Sequence, residues 1–191
     1  MGALALVCLV LITAPVPAAQ RDPLQAAFVA LGAHRVSTLH LEGFGATYAP
    51  GGPRVALPSY RADVALTAAG PQDIAMTPQG FLKAARANTA TVRAVPMGAE
   101  VSFTAGGRAF IGLITAGNEV DRVMTWVDGQ GTGDVQVETL FRDYEKTPSG
   151  VWFPRHITQN RGGYPSLDLW LSSVTVKASE APLLQRAASP R

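Results

Sequence analysis

The chain is poor in the residues that mark most chemical sites. One cysteine, Cys8, and three histidines, His34, His40 and His156, are its only thiol and imidazole groups in 191 residues. A disulfide needs two cysteines, and a zinc site needs three or four convergent nitrogen, oxygen or sulfur ligands. His34 and His40 fall at a helix-to-strand junction and His156 lies far along the chain, so the three read as surface or rim imidazoles, not as a metal set. Basic runs are missing too. The 16 Lys and Arg are scattered singly against 14 Asp and Glu, for a formal net charge of +2, which leaves no electrostatic footprint for nucleic acid.

Catalytic motifs are equally scarce. No Gly-x-Ser-x-Gly occurs. The glycines at 106–107 and 129–133 have no following Lys-Ser or Lys-Thr and are flanked by strand patterns on both sides, so they read as turns, not phosphate loops. The acidic pairs Asp121/Asp128 and Asp143/Glu145, and Ser166-x-Asp168, fall on strands and turns where solvated carboxylates are the ordinary case. These readings assign no catalytic residue, metal or cofactor.

The one long apolar run is at the start. Residues 2–12 are uninterrupted and too short to span a bilayer, and residues 13–19 supply the Pro and small side chains of a cleavage site. The expectation is a signal peptide over 1–19, cut near Ala18 or Ala19, and a periplasmic or secreted product that meets the membrane only through export. Cys8 would leave with it, since Ala5-Leu6-Val7 lacks the small residue a lipidation site requires.

What the chain has in quantity is apolar side chains punctuated by glycine and proline. With 47% hydrophobic and 16% charged residues it can bury one core, and 19 Gly with 14 Pro punctuate short strands. Asp22-Pro23 starts a helix with Leu24, Phe28 and Leu31 on one stripe, and Gly32 stops it. Thr77-Pro78 starts a second, with Phe81, Leu82 and Ala85 opposite Lys83 and Arg86, ending at Asn88. Strand patterns cover 36–48, 59–66, 101–104, 110–114, 120–127, 135–144, 151–159 and 167–176. Gly43 and Gly45 interrupt the first of them, which predicts a sharp bend. The fold class is therefore α+β, mainly β: a curved antiparallel sheet of about eight strands with two short helices on one face. One domain spans 20–178, followed by an unpatterned tail at 179–191.

Long stretches, in order, carry a family resemblance. Thr77-Pro78-Gln79-Gly80-Phe81-Leu82-Lys83-Ala84-Ala85, Val120-Asp121-Arg122-Val123-Met124-Thr125-Trp126-Val127-Asp128, Phe153-Pro154-Arg155-His156-Ile157 and Gly163-Tyr164-Pro165-Ser166-Leu167-Asp168-Leu169 are the main ones. Together they resemble the N-terminal β-rich region of secreted bacterial MBL-fold metallo-hydrolases. The resemblance implies a lipoprotein-carrier (LolA-like) half-barrel. It also implies a hydrolase domain whose zinc site is built on His-x-His-x-Asp-His, a motif this chain does not contain. Catalysis is not carried over with the resemblance.

A carrier-like hollow would be lined by Phe28, Tyr60, Phe81, Phe103, Met124, Trp126, Phe141 and Phe153, with Phe110 and Trp170 as further candidates. The competing reading gives the same residues to ordinary core packing. Trp152 and Trp170 alternate with Phe153 and Leu169, which places them on the opposite face, as a contact surface or as cover for a second buried face. Two functions follow. One is an exported non-catalytic module that takes a lipid or lipoprotein acyl chain in the hollow. The other is a detached accessory domain that docks to an MBL-fold hydrolase partner.

Overall fold

The computed structural model describes residues 22–49, 52–66, 70–129 and 133–178; the proposed signal peptide with Cys8, and the tail, lie outside the described residues. The chain begins with α1 (Pro23–Ala30) and a turn of 3-10 helix at Ala33–Arg35, then β1 (Val36–Tyr48) and β2 (Arg54–Ala65). Two consecutive helices follow, α2 (Pro71–Met76) and α3 (Pro78–Ala87). The remainder is a meander of β3 (Thr91–Val95), β4 (Gly98–Ala105), β5 (Arg108–Thr115), β6 (Val120–Asp128), β7 (Asp134–Lys146), β8 (Trp152–Arg161) and β9 (Tyr164–Ala178). All nine strands form one antiparallel sheet in the order β2-β1-β9-β8-β7-β6-β5-β4-β3, open between β2 and β3. This agrees with a mainly β α+β class.

Local chemistry sets the helix ends. Asp22 Oδ1 accepts from Leu24 N at 3.0 Å ahead of Pro23, and Gly32 leaves α1 at φ 70°. Thr77 serves two helices. Its hydroxyl donates to Asp73 O at 2.7 Å, closing α2, and accepts from Gly80 N at 3.2 Å, opening α3. Gly80 is required there because a Cβ would lie 2.7 Å from Asp73 O.

Two elements lay outside the sequence expectation. The six-residue α2 is too short to show a period, although Gly70-Pro71 and Asp73, whose Oδ2 accepts from Gly70 N at 3.1 Å, are start signals. Strand β3 is exposed over residues 91–94 and so carries no alternation; its pairing with β4 through Val92 and Val101 defines it.

Alternation in the strands gives the sheet an inner face, covered by helices, and an outer face without them. Val36, Leu39 and Leu41 of β1, Val101 and Phe103 of β4, Phe110 and Ile114 of β5, Val123 of β6, Phe141 of β7, Ile157 of β8 and Leu169 of β9 are buried inward. Phe81 of α3 packs on Phe103 at 5.3 Å between ring centroids, and Phe103 stacks on its cross-strand neighbour Phe110 at 5.4 Å. Fully buried Gln79 donates from Nε2 to Trp152 O at 2.7 Å and to Leu31 O at 3.4 Å, tying α3 to the end of α1 and the start of β8.

Candidate functional site

The helix layer is not uniform over the inner face. Where α1 and α3 lie, large side chains fill most of the space between helix and sheet, and a cleft of about 280 Å³ is left at the start of α1, bordered by Pro23, Ala26, Gly98, Ala99 and Thr115. Phe28, Phe81, Phe103, Phe141 and Phe153 are all buried in the filled part, at 9% exposure or less. Five of the eight hollow residues expected from sequence are thus core. Phe28 is further held by the Arg86 guanidinium, 4.2 Å from its ring centre. Phe81 ends against Gly112 of β5, where a side-chain Cβ would lie 2.6 and 2.9 Å from its Cε1 and Cε2 atoms.

Met124 and Trp126 are elsewhere. They alternate with inward Val123 and Thr125, pair across to Glu138 and Gln136, and stand half-exposed on the outer face. They do not share a space with the phenylalanines. The register explains the difference: a bulge at Asp121 and Arg122 shifts the parity of β6 before Val123. Tyr60, half-buried on β2, borders open space.

That space flanks α2. On one side a cleft of about 220 Å³ is bordered by Leu41, Tyr60, Asp63, Asp73, Ile157 and Leu169. Burial, and secondarily the Asp73 carboxylate, raise the Tyr60 phenol above its ordinary value, so it stays a neutral donor. On the other side a cleft of about 290 Å³ runs between α2 and β5–β8, walled by Pro71, Ala75, Val127 and Val137, with Arg108 and Arg161 at its rim. Met76 and Gln72 belong to both walls and are what separates the two spaces. Gln159 Nε2 lies 3.1 Å from Met76 Sδ and 3.2 Å from Thr139 Oγ1, so the partition meets β8 through a weak thioether contact.

Arg108 and Arg161 were not singled out from the sequence, yet a signal was there. Arg108 follows Gly106-Gly107 and Arg161 precedes Gly162-Gly163, and counting in twos from Phe110 and Ile157 puts both on the inner face. They are the ends of strands whose glycine turns have positive φ at all four positions. Neither guanidinium has a carboxylate partner among the described residues, and no carboxylate borders this cleft.

The histidines are dispersed. His40 of β1 bonds Asp63 at 2.9 Å, and that bond, with Glu42 at 3.5 Å, raises its pKa from 6.5. His156 of β8 bonds Asp168 at 2.8 Å and stacks on Trp170 at 3.9 Å between centroids. Trp170 pairs in register with Phe44, and both are exposed, at 42% and 53%, so the outer face is uncovered at this aromatic spot. Trp152 is exposed likewise. Among the described residues no three His, Cys, Asp or Glu side chains converge to hold a metal ion. No family model, curated protein or solved structure matches the chain.

Proposed function

We propose that the chain is an exported, non-catalytic module that holds an apolar ligand between α2 and the inner face of its sheet. The observation that carries this reading is the pair of clefts beside α2. Phenylalanines fill the sheet under α3, and the space at the start of α1 is lined by small residues, Ala26, Gly98 and Ala99; under α2 the inner rows of Val127 and Val137, with Thr125 and Gln159 beside them, remain open to a space near the small end of ligand-pocket volumes. The carrier-like resemblance of the sequence points to the same face, and the apolar run at 2–12 supplies the export route. The ligand site moves from the phenylalanine core to Tyr60, Met76, Val127 and Val137.

Native mass spectrometry of the chain purified gently from its own envelope fraction tests the reading. A retained small-molecule mass is expected, and it should be lost in Val127→Trp, which fills the larger cleft from its floor. A chain that is bare, and that also takes up no neutral apolar dye in solution, would sink it.

The aromatic spot on the outer face favours a second reading, an accessory domain that docks to an MBL-fold hydrolase through Phe44, His156 and Trp170. In that case the chain co-purifies with a zinc hydrolase encoded beside it, and Trp170→Ser abolishes the association without altering the circular dichroism. A monomeric chain in the presence of that hydrolase excludes it.

A further inference from the structure

The two clefts beside α2 differ in charge, and the difference names a ligand class. The smaller is bordered by Asp63 and Asp73; the larger has no carboxylate on its wall and two arginines at its rim. Resting on the ligand-binding reading above, we propose that the larger cleft binds a single-chain amphiphile with an anionic head. Its chain lies on Val127, Val137, Ala75 and Met76, and its head is held by Arg108 and Arg161.

Three observations lead there. First, the arginines stand on β5 and β8, three strand spacings or about 14 Å apart across the sheet, Arg108 lying two residues beyond the row of Phe110, Thr125, Val137 and Arg161, with Val127 and Val137 of β6 and β7 between them. They flank the cleft from opposite sides, as a clamp on a head group requires. Second, other arginines on this sheet are engaged: Arg93 with Glu100, Arg122 with Asp121 and Glu138, Arg142 with Asp121, and Arg155 with Glu145. Arg108 and Arg161 have no such pairing among the described residues, so their donors are available to a carboxylate or phosphate. Third, the cleft is small: about 290 Å³, near the small end of ligand-pocket volumes, which suits one medium-length chain better than several. A longer chain must displace Met76, an unbranched side chain suited to moving, and continue into the space beside Tyr60.

The test compares decanoate, decanol and decyltrimethylammonium as competitors of a neutral apolar dye, in 20 mM and in 300 mM salt. Decanoate is expected to bind at least about tenfold more tightly than decanol at low salt, with the gap narrowing at high salt. Decyltrimethylammonium should be weakest. Arg108→Gln with Arg161→Gln, both at exposed positions, should bring decanoate to within about twofold of decanol while leaving decanol unchanged. Equal binding of decanoate and decanol by the unaltered protein overturns the head assignment and leaves the cleft reading standing. A preference for decanoate that survives both substitutions overturns it as well. If neither the dye nor any of the three ligands binds, the ligand-binding reading falls with it.

Discussion

Replacing Gly112 by alanine adds one methyl group in the middle of β5, and the structure gives its cost. The residue is in ordinary strand backbone, so alanine meets no conformational penalty and gains about 0.5–1 kcal/mol from the reduced freedom of the unfolded chain. Against this, the new Cβ would lie 2.6 and 2.9 Å from the Phe81 ring, about an ångström inside normal carbon contact. The ring has no room to retreat, since Phe81 is fully buried with Phe103 at 5.3 Å and Phe110 behind that. Overpacking of this kind costs about 1–3 kcal/mol, so Gly112→Ala should destabilise by a net of up to about 2.5 kcal/mol. That is a fall of up to about 10 °C in Tm for a domain of this size. Calorimetry on the single variants and on the double variant with Phe81→Leu reads the coupling. In the leucine background the methyl group has space, and the alanine should become neutral or stabilising. An equal effect of the alanine in both backgrounds would refute the claim that Phe81 and Gly112 share one packing site.

Two further outcomes follow from the helix junction and from β7. Thr77→Val keeps the shape of the side chain but removes the hydroxyl that caps α3 and closes α2, and should cost about 1–2 kcal/mol in chemical denaturation. The Tyr144 hydroxyl donates to Val120 O at 2.8 Å, and burial, with Glu119 and Asp121 nearby, raises its pKa well above 10.0. A raised phenol favours the neutral form in the fold. Its contribution is complete below the unfolded value near 10.0 and is lost as pH climbs toward the folded one. Denaturation midpoints should therefore drop above about pH 10, with a smaller drop in Tyr144→Phe.

Much of the architecture was legible because its signals are local. The ends of α1 and α3 follow from Asp22-Pro23 and Thr77-Pro78, whose capping bonds are made within three residues. Seven of the strand patterns fall within the meander or β1, where alternation of apolar and polar side chains reports burial directly. The candidate site was less legible. The aromatic residues expected to line a hollow could be assigned to strands and helices, but whether inward rings surround a space or fill it depends on which helix faces them. The same alternation, carried through the bulge in β6, sends Met124 and Trp126 to the far side of the sheet from Phe81.

By itself, the sequence determined the class of fold and most of its elements, and it carries no written catalytic motif. Each of these rests on side-chain period, capping or backbone freedom within a few residues. Only the tertiary structure decided that β1 inserts beside β9, where a Cβ at Gly43 or Gly45 would run into the carbonyl oxygens of Trp170 and Asp168 and lie 3.1 and 3.0 Å from the Leu171 and Leu169 Cα atoms. It alone placed α2 over β6 and β7, leaving Arg108 and Arg161 on either side of an open apolar floor. Contacts between residues far apart in sequence, and the volume left between layers, are sums over the whole packed chain, and no local pattern carries them.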